Sequence, residues 1–188
     1  MNAVNAAPPG PAAPPGPRPL QVTVIGNSDA DDATCAAAET IGEILAGHGV
    51  TLVTGGGSGV MGAAARGATR RGGLAIGILP GADPASANPW CGVVIPTGMG
   101  HARNALTVLA GDAVVVLGGA AGTLSEIAYA WMYGRPILTL AGHGGWADRI
   151  AGTPIDERKS SRIVHCASIQ ELEERLVELL ERRTEPGG

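Results

Sequence analysis

The chain has 188 residues, 45% of them hydrophobic, with a net charge of −4 at pH 7. That length and apolar content suit one domain with a sizeable core, and no apolar run is long enough to span a membrane. The acidic balance speaks against a nucleic-acid backbone as the main partner and leaves local sites for small anions. Thirty glycines and no phenylalanine suggest close packing of small residues and many tight turns. Cys35, Cys91 and Cys166 are scattered, odd in number and without C-x-x-C spacing, so neither a disulfide framework nor a zinc site is expected. The four histidines are far apart, and no metal is expected. Lys159 is the only lysine and lies in a polar segment, which argues against a Schiff-base enzyme, and no Gly-Lys-Ser/Thr marks a Walker-type loop. No cofactor is expected. Without a charged n-region leading into an apolar h-region, the expected location is the cytoplasm.

Residues 1–18 are mostly Pro, Ala and Gly, too poor in large apolar side chains to offset the entropy of ordering, and are expected to be a disordered tail. Residues 184–188 are expected to be disordered as well, which leaves one folded domain over 19–183. A strand is predicted over 20–25, ending at Gly26-Asn27-Ser28-Asp29. A helix follows over 34–46, with Ile41, Ile44 and Leu45 at helical spacing and Gly47 and Gly49 as its stop. Asp29, Asp31 and Asp32 between them suit loop solvation and helix capping, with a ribose or a metal as the other open role.

Residues 50–54 read as a second strand, followed by Gly55-Gly56-Gly57-Ser58-Gly59-Val60-Met61-Gly62 and an Ala-rich helix ending near Arg71. Gly57, Gly59 and Gly62 satisfy G-x-G-x-x-G between strand and helix. The next strand, 74–79, ends at Pro80-Gly81, not at an acid placed for a ribose 2′-hydroxyl, and Asp83 lies beyond the turn. Gly55, Gly56, Gly57 and Gly59 are therefore expected to contact a nucleotide or phosphate without implying NAD. Residues 80–91 form a loop in which Trp90 and Cys91 are expected to pack. A short strand over 92–96 precedes Thr97-Gly98-Met99-Gly100-His101-Ala102-Arg103-Asn104, which opens a helix to Ala110. His101 reads as a cap or core-edge residue. Arg103 in the first turn opposes the helix dipole, so something negative should hold it. Glu126, a ligand phosphate and bulk solvent are the open partners.

Val114 to Leu117 read as a buried strand, and Gly118-Gly119-Ala120-Ala121-Gly122-Thr123 leads directly into a helix through Ile127 and Trp131. With no Cβ at three positions the backbone can approach a ligand closely, and the amides and positive end of the helix favour an anion. Gly118, Gly119, Ala120, Ala121, Gly122 and Thr123 are the predicted phosphate contacts. Glu126 lies within one turn of the expected helix start. It either closes a capping box with Thr123 or takes part in catalysis.

Gly134-Arg135-Pro136 stops that helix, and a strand follows over 137–140. Residues 141–146 read as a loop with Trp146 packing, 151–161 as polar and irregular, 163–165 as a last strand and 169–182 as an amphipathic helix. Alternating strands and helices predict an α/β fold, a Rossmann-like doubly wound parallel sheet flanked by helices. Ligands of such sheets bind beyond the carboxyl ends of the strands, where both glycine turns and the Arg103 loop are expected to converge.

In order and spacing, Gly55-Gly56-Gly57 with Gly59-Val60-Met61-Gly62, His101-Ala102-Arg103, and Gly119 with Gly122-Thr123-Leu124-Ser125-Glu126 resemble the Lonely Guy superfamily, long mislabelled as lysine decarboxylases. The resemblance covers about residues 20–181 and implies a Rossmann-like fold, usually dimeric. In the founding branch it implies a phosphoribohydrolase that cuts cytokinin nucleoside 5′-monophosphates to free base and ribose 5-phosphate. By that resemblance Arg103 and Glu126 are catalytic, and the glycine turn before Glu126 binds the phosphate. The hydrolase branch has Arg-Lys where this chain has Arg103-Asn104, and Pro-Gly-Gly where it has Gly118-Gly119-Ala120. Those departures resemble a sister branch that includes molybdenum-cofactor carriers, which are binders. Both readings imply a nucleotide or other phosphorylated small molecule as partner. A homodimer is expected, with the helices containing Met61 and Trp131 as sources of apolar surface.

Overall fold

The computed structural model describes residues 18–157 and 163–184. The expected tails, apart from Arg18 and Thr184, and part of the polar stretch 151–161 lie outside the described residues. Seven strands, β1 (Gln21–Gly26), β2 (Thr51–Thr54), β3 (Ala75–Leu79), β4 (Val93–Pro96), β5 (Ala113–Leu117), β6 (Ile137–Leu140) and β7 (Ile163–Cys166), form one parallel sheet in the order β4-β3-β2-β1-β5-β6-β7. The helices are α1 (Asp32–Gly47), α2 (Val60–Arg70), α3 (Asn104–Ala110), α4 (Ala121–Met132), α5 (Gly145–Arg149) and α6 (Ile169–Thr184). None of them is long and apolar enough to cross a membrane.

The run of Val at 114–116 explains why β5 lies centrally. All five of its residues are buried, as expected of a parallel strand covered on both faces. One core layer gathers Val22, Val24, Ile41, Leu45, Leu138 and Leu172 beneath α1, α2 and α6. The other gathers Ile25, Val114, Val116, Ile127 and Trp131 beneath α4 and α5. The glycine-rich composition has a direct packing use between α1 and α2. A Cβ at Gly42 would fall 2.0 Å from the Ala64 carbonyl oxygen, and one at Gly67 would fall 1.9 Å from that of Glu39. The two helices therefore meet backbone to backbone, which only glycine permits.

Several boundaries differ from the sequence reading for identifiable reasons. Helix α1 starts early because Asp31 caps it, its Oδ1 accepting the Thr34 N–H at 2.7 Å. The helix expected after residue 97 begins as a 3-10 turn, Gly100–Arg103, before α3. The loop expected over 141–146 gives way to α5 at Gly145, entered through Gly142 and Gly144 at positive φ. Trp146 packs against the second core layer, with the Arg149 guanidinium 5.3 Å from its ring centroid. Trp90, expected to pack, is only partly covered, at 38% exposed. Of the helix around Trp131, offered as dimer surface or as core, the Trp131 side chain is in the core while Met132 is exposed.

After β1 the chain builds β2, β3 and β4 to one side, then returns beside β1 to place β5, β6 and β7 on the other. The β1/β5 pair is thus the switch point of the sheet, where a crevice opens at the strand ends. Gly26 pairs with Leu117, so Asn27 and Gly118 leave the sheet side by side.

Candidate ligand cleft

The turn after β5 is shaped by what occupies its polar groups. Gly118 (φ +60°) and Gly119 (φ +108°) adopt conformations that other residues rarely take. The Gly119 N–H donates to Asn27 Oδ1. The carbonyl of Gly118 accepts the Ala147 N–H at 2.8 Å, and that of Gly119 accepts the Trp146 N–H at 3.1 Å. Gly145 sits so close behind the turn that a Cβ there would lie 2.5 Å from Gly119 O. The acceptors of the turn are therefore directed back into the start of α5.

What remains toward the crevice is donors. Helix α4 begins at Ala121 with Ala120 as its N-cap, no side-chain cap and no acid in its first turn. The first amide with an internal acceptor is that of Leu124, bonded to Ala120 O at 2.9 Å. The amides of Ala121, Gly122 and Thr123 have no acceptor within the helix. A cleft of about 270 Å³ opens against this turn. Ala120, Gly122, Thr123 and Glu126 line one wall, Asn27, Ser28 and Asp29 another, and Met61, His101, Arg103 and Asn104 the rest. A Cβ at Gly122 would meet nothing within 4 Å, so the backbone there is open to a ligand.

The capping box read from Thr123 to Glu126 does not form. With the helix starting at Ala121, Thr123 is its third residue, and Glu126 is too far along to reach the N-cap amide. Glu126 is buried instead, its Oε1 accepting from Arg103 Nη1 at 3.1 Å. Arg103 is only 9% exposed, which removes bulk solvent as its partner. Nη1 also donates to Asn104 Oδ1 at 2.8 Å and Thr107 Oγ1 at 3.3 Å. Nε has no partner among the described residues. Burial pushes the Glu126 carboxyl up to about 7, the Arg103 charge and its hydrogen bond opposing the rise.

Of the predicted site residues, Arg103, Glu126, Ala120, Gly122 and Thr123 line one cleft, with Ala121 in the same helical turn and Gly118 and Gly119 shaping its entrance. The first glycine turn does not join them. Gly55 lies beneath the site, where a Cβ would fall 2.6 Å from Arg103 Nη2, so its glycine makes room for the guanidinium. Gly56 is at φ +75°, and a Cβ on it would be 2.5 Å from the Leu79 side chain. The carbonyls of Gly56 and Gly57 accept from Asn88 Nδ2 at 3.1 and 3.0 Å. Gly59 packs against the Asn27–Ser28 backbone and faces a separate hollow with Asp32, Arg66 and Trp90. Asn27 and Asn104 also line the cleft; the sequence reading noted Asn104 only as a departure from the Arg-Lys pattern and gave Asn27 itself no role. Asn104 accepts from Arg103 and donates to Ser125 Oγ at 2.7 Å, tying α3 to the first turn of α4. Among the described residues no group of three or more His, Cys, Asp or Glu is placed to hold a metal.

A doubly wound parallel sheet with an uncapped helix start at its switch point defines a Rossmann-like protein of the kind that meets ligands at the strand ends. The chain belongs to the SLOG cluster4 family, whose model matches residues 19–173. An uncharacterized protein of Archaeoglobus fulgidus is 41% identical over 121 residues, 64% of this chain and 80% of that one. Among solved structures, the molybdenum cofactor carrier protein of Chlamydomonas reinhardtii is similar at 30% identity and a TM-score of 0.77, over 87% of this chain and 99% of that one. The molybdenum cofactor binding protein of Rippkaea orientalis is similar at 29% identity and a TM-score of 0.77, over 87% and 98%. The resemblance to the Lonely Guy superfamily drawn from the motifs is borne out at the level of family and fold.

Proposed function

We propose that this protein binds a phosphorylated small molecule in the β1/β5 cleft and holds it without consuming it, the pterin phosphate of a molybdenum cofactor being the class of cargo. The observation that carries the reading is the start of α4, where unpaired amides and the positive dipole end open onto a cleft beside Arg103. The turn behind it has the Gly118 and Gly119 carbonyls bonded away from the cleft, so the main chain of the turn offers an anion its amides and not these carbonyls. The carrier and binding proteins that share 29–30% identity over nearly their whole length support the cargo class. Asn104 supports it as well, since a neutral amide committed to Arg103 and Ser125 stands where the hydrolase pattern has a second cation.

A second reading, a nucleoside 5′-monophosphate phosphoribohydrolase, is favoured by one observation. Glu126 is a buried carboxyl at the cleft with its proton affinity raised to about 7, suited to positioning water or stabilising an oxocarbenium-like state. The two readings separate on Glu126→Gln. If the protein is a carrier, the variant binds phosphorylated ligand as well as the parent or better, because a competing carboxylate is gone, and neither protein releases free base from AMP, GMP, CMP or isopentenyl-AMP. Base release by the parent that disappears in the variant establishes the hydrolase. Purified protein that neither retains nor takes up the pterin, followed by its fluorescence, rules out the cargo assignment.

We further propose a homodimer and a cytoplasmic setting. Leu106 and Leu109 on α3, Met132 at the end of α4 and Tyr133 just after it are exposed apolar residues on a packed helix pair. Light scattering that gives a single-chain mass ends the dimer proposal.

A further inference from the structure

The carboxamide of Asn27 is a polar group on the cleft that the binding reading leaves without a task. It sits immediately beyond β1 at the switch point, beside the turn that follows β5. Its main-chain carbonyl accepts the Val60 N–H at 3.0 Å, which fixes the start of α2. Its Oδ1 accepts the Gly119 N–H, and only an oxygen can do so, which settles the orientation of the amide. The planar group must then present Nδ2 on its other side, and no protein acceptor binds it among the described residues. The side chain lines the cleft together with Arg103 and Gly122.

The charges on the cleft make the choice of an amide informative. Asp29 and Glu126 already bring two carboxyl groups to its walls, against the guanidinium of Arg103. An aspartate at position 27 would hold the Gly119 N–H at least as well, since a charged acceptor makes the stronger bond. It would also place a third carboxylate beside the open amides of α4. Anchoring the turn therefore does not require asparagine, whereas accepting an anion does.

We propose that Asn27 is a ligand-contact residue at the phosphate end of the cleft: Oδ1 locks the Gly118–Gly119 turn, and Nδ2 donates to an anionic oxygen held between Arg103 and the first amides of α4. The proposal rests on the reading of this cleft as an anion site, and its test keeps the two apart. The full chain, uniformly labelled with ¹⁵N, is titrated with inorganic phosphate while the Gly122 backbone amide and the Asn27 side-chain NH₂ pair are followed, the latter assigned by its absence in Asn27→Asp. Both signals are expected to shift with one saturation curve. Asn27→Asp is expected to keep the thermal melting point of the parent and to weaken phosphate binding by about tenfold or more, the scale of one lost charge-assisted hydrogen bond plus added repulsion. If Gly122 shifts while the Asn27 pair stays still, and Asn27→Asp binds within twofold of the parent, Asn27 only anchors the turn and the proposal is overturned while the anion site stands. If Gly122 itself does not respond in the parent chain, the anion reading and the role of Asn27 fall together.

Discussion

The two glycine-rich turns, 55–59 and 118–123, look alike as strings and do opposite things. Both follow a parallel strand and both lead into a helix with no side-chain cap. In the first, the Val60 N–H at the start of α2 donates to Asn27 O, the carbonyls of Gly56 and Gly57 are held by Asn88, and a Cβ at Gly55, Gly56, Gly57 or Gly59 would come within 3 Å of a neighbour. In the second, the carbonyls are bonded away behind the turn and the first amides of α4 face an open cleft. Glycine serves close packing throughout the first turn; in the second a Cβ at Gly118 or Gly119 would also strike a neighbour, and Gly122 alone gives access to the cleft. The number of glycines does not tell the two uses apart; the partners of the flanking N–H and C=O groups do.

The largest effect expected from breaking the second region is at Arg103. Arg103→Ala leaves Glu126 without its partner in a buried position, and losing one member of a buried pair costs about 3–5 kcal/mol. Chemical denaturation should show that loss, and phosphate binding should disappear with it. The burial of Glu126 also sets a pH dependence, which Arg103 moderates. The folded state holds the Glu126 proton more tightly than the unfolded chain, so this contribution to stability is complete below about 4.5 and is lost as pH rises through about 7. Over that window the parent should lose about 3 kcal/mol relative to Glu126→Gln, which has nothing to titrate there. A constant difference between the two proteins from pH 4.5 to 8 would show that Glu126 ionises as an ordinary carboxylate.

Much of this organisation is legible in the chain before any coordinates. Period and punctuation give the strands to within a residue or two, because the apolar runs at 20–25, 50–54 and 114–117 can be buried on both faces only in a parallel sheet. The same logic finds Arg103, whose position against the helix dipole demands a negative partner. What local sequence does not contain is the length of the turn before α4. A start at Ala121 in place of a cap at Thr123 moves Glu126 from the helix end into the interior and turns a capping residue into a buried ion-pair partner. The role of Asn27 is similarly invisible, since it depends on a crossover that brings residues 27 and 119 together. Gly55 is the plainest case: its reason is the Arg103 guanidinium, 48 positions along the chain.

The first turn should respond to substitution in stability alone. Gly56→Ala forces a residue with a side chain to φ +75° with the Leu79 side chain 2.5 Å from the new Cβ. Backbone strain of that kind costs about 1–3 kcal/mol, and the clash adds to it. The melting point should fall by several degrees, while phosphate affinity measured on the folded fraction stays within about twofold of the parent. A large loss of affinity at unchanged stability would mean that the first turn touches ligand after all, and the contrast between the two turns would collapse.

Gly122→Ala gives the smallest change and the sharpest one, because its two readouts should move in opposite directions. Gly122 lies in the first turn of α4 at ordinary φ, and the added methyl meets no protein atom within 4 Å. Alanine is the better helix former by up to about 1 kcal/mol, so stability should hold or rise slightly. The same methyl projects into the cleft beside amides that are to receive an anion, so phosphate affinity should drop by about tenfold. Destabilisation at Gly56 with binding intact, set against binding lost at Gly122 with stability intact, is a crossed result that neither a purely structural pair of turns nor a pair of ligand turns can produce. If Gly122→Ala binds phosphate as the parent does, the open space at α4 is not where the anion sits, and the site must be sought elsewhere along the strand ends.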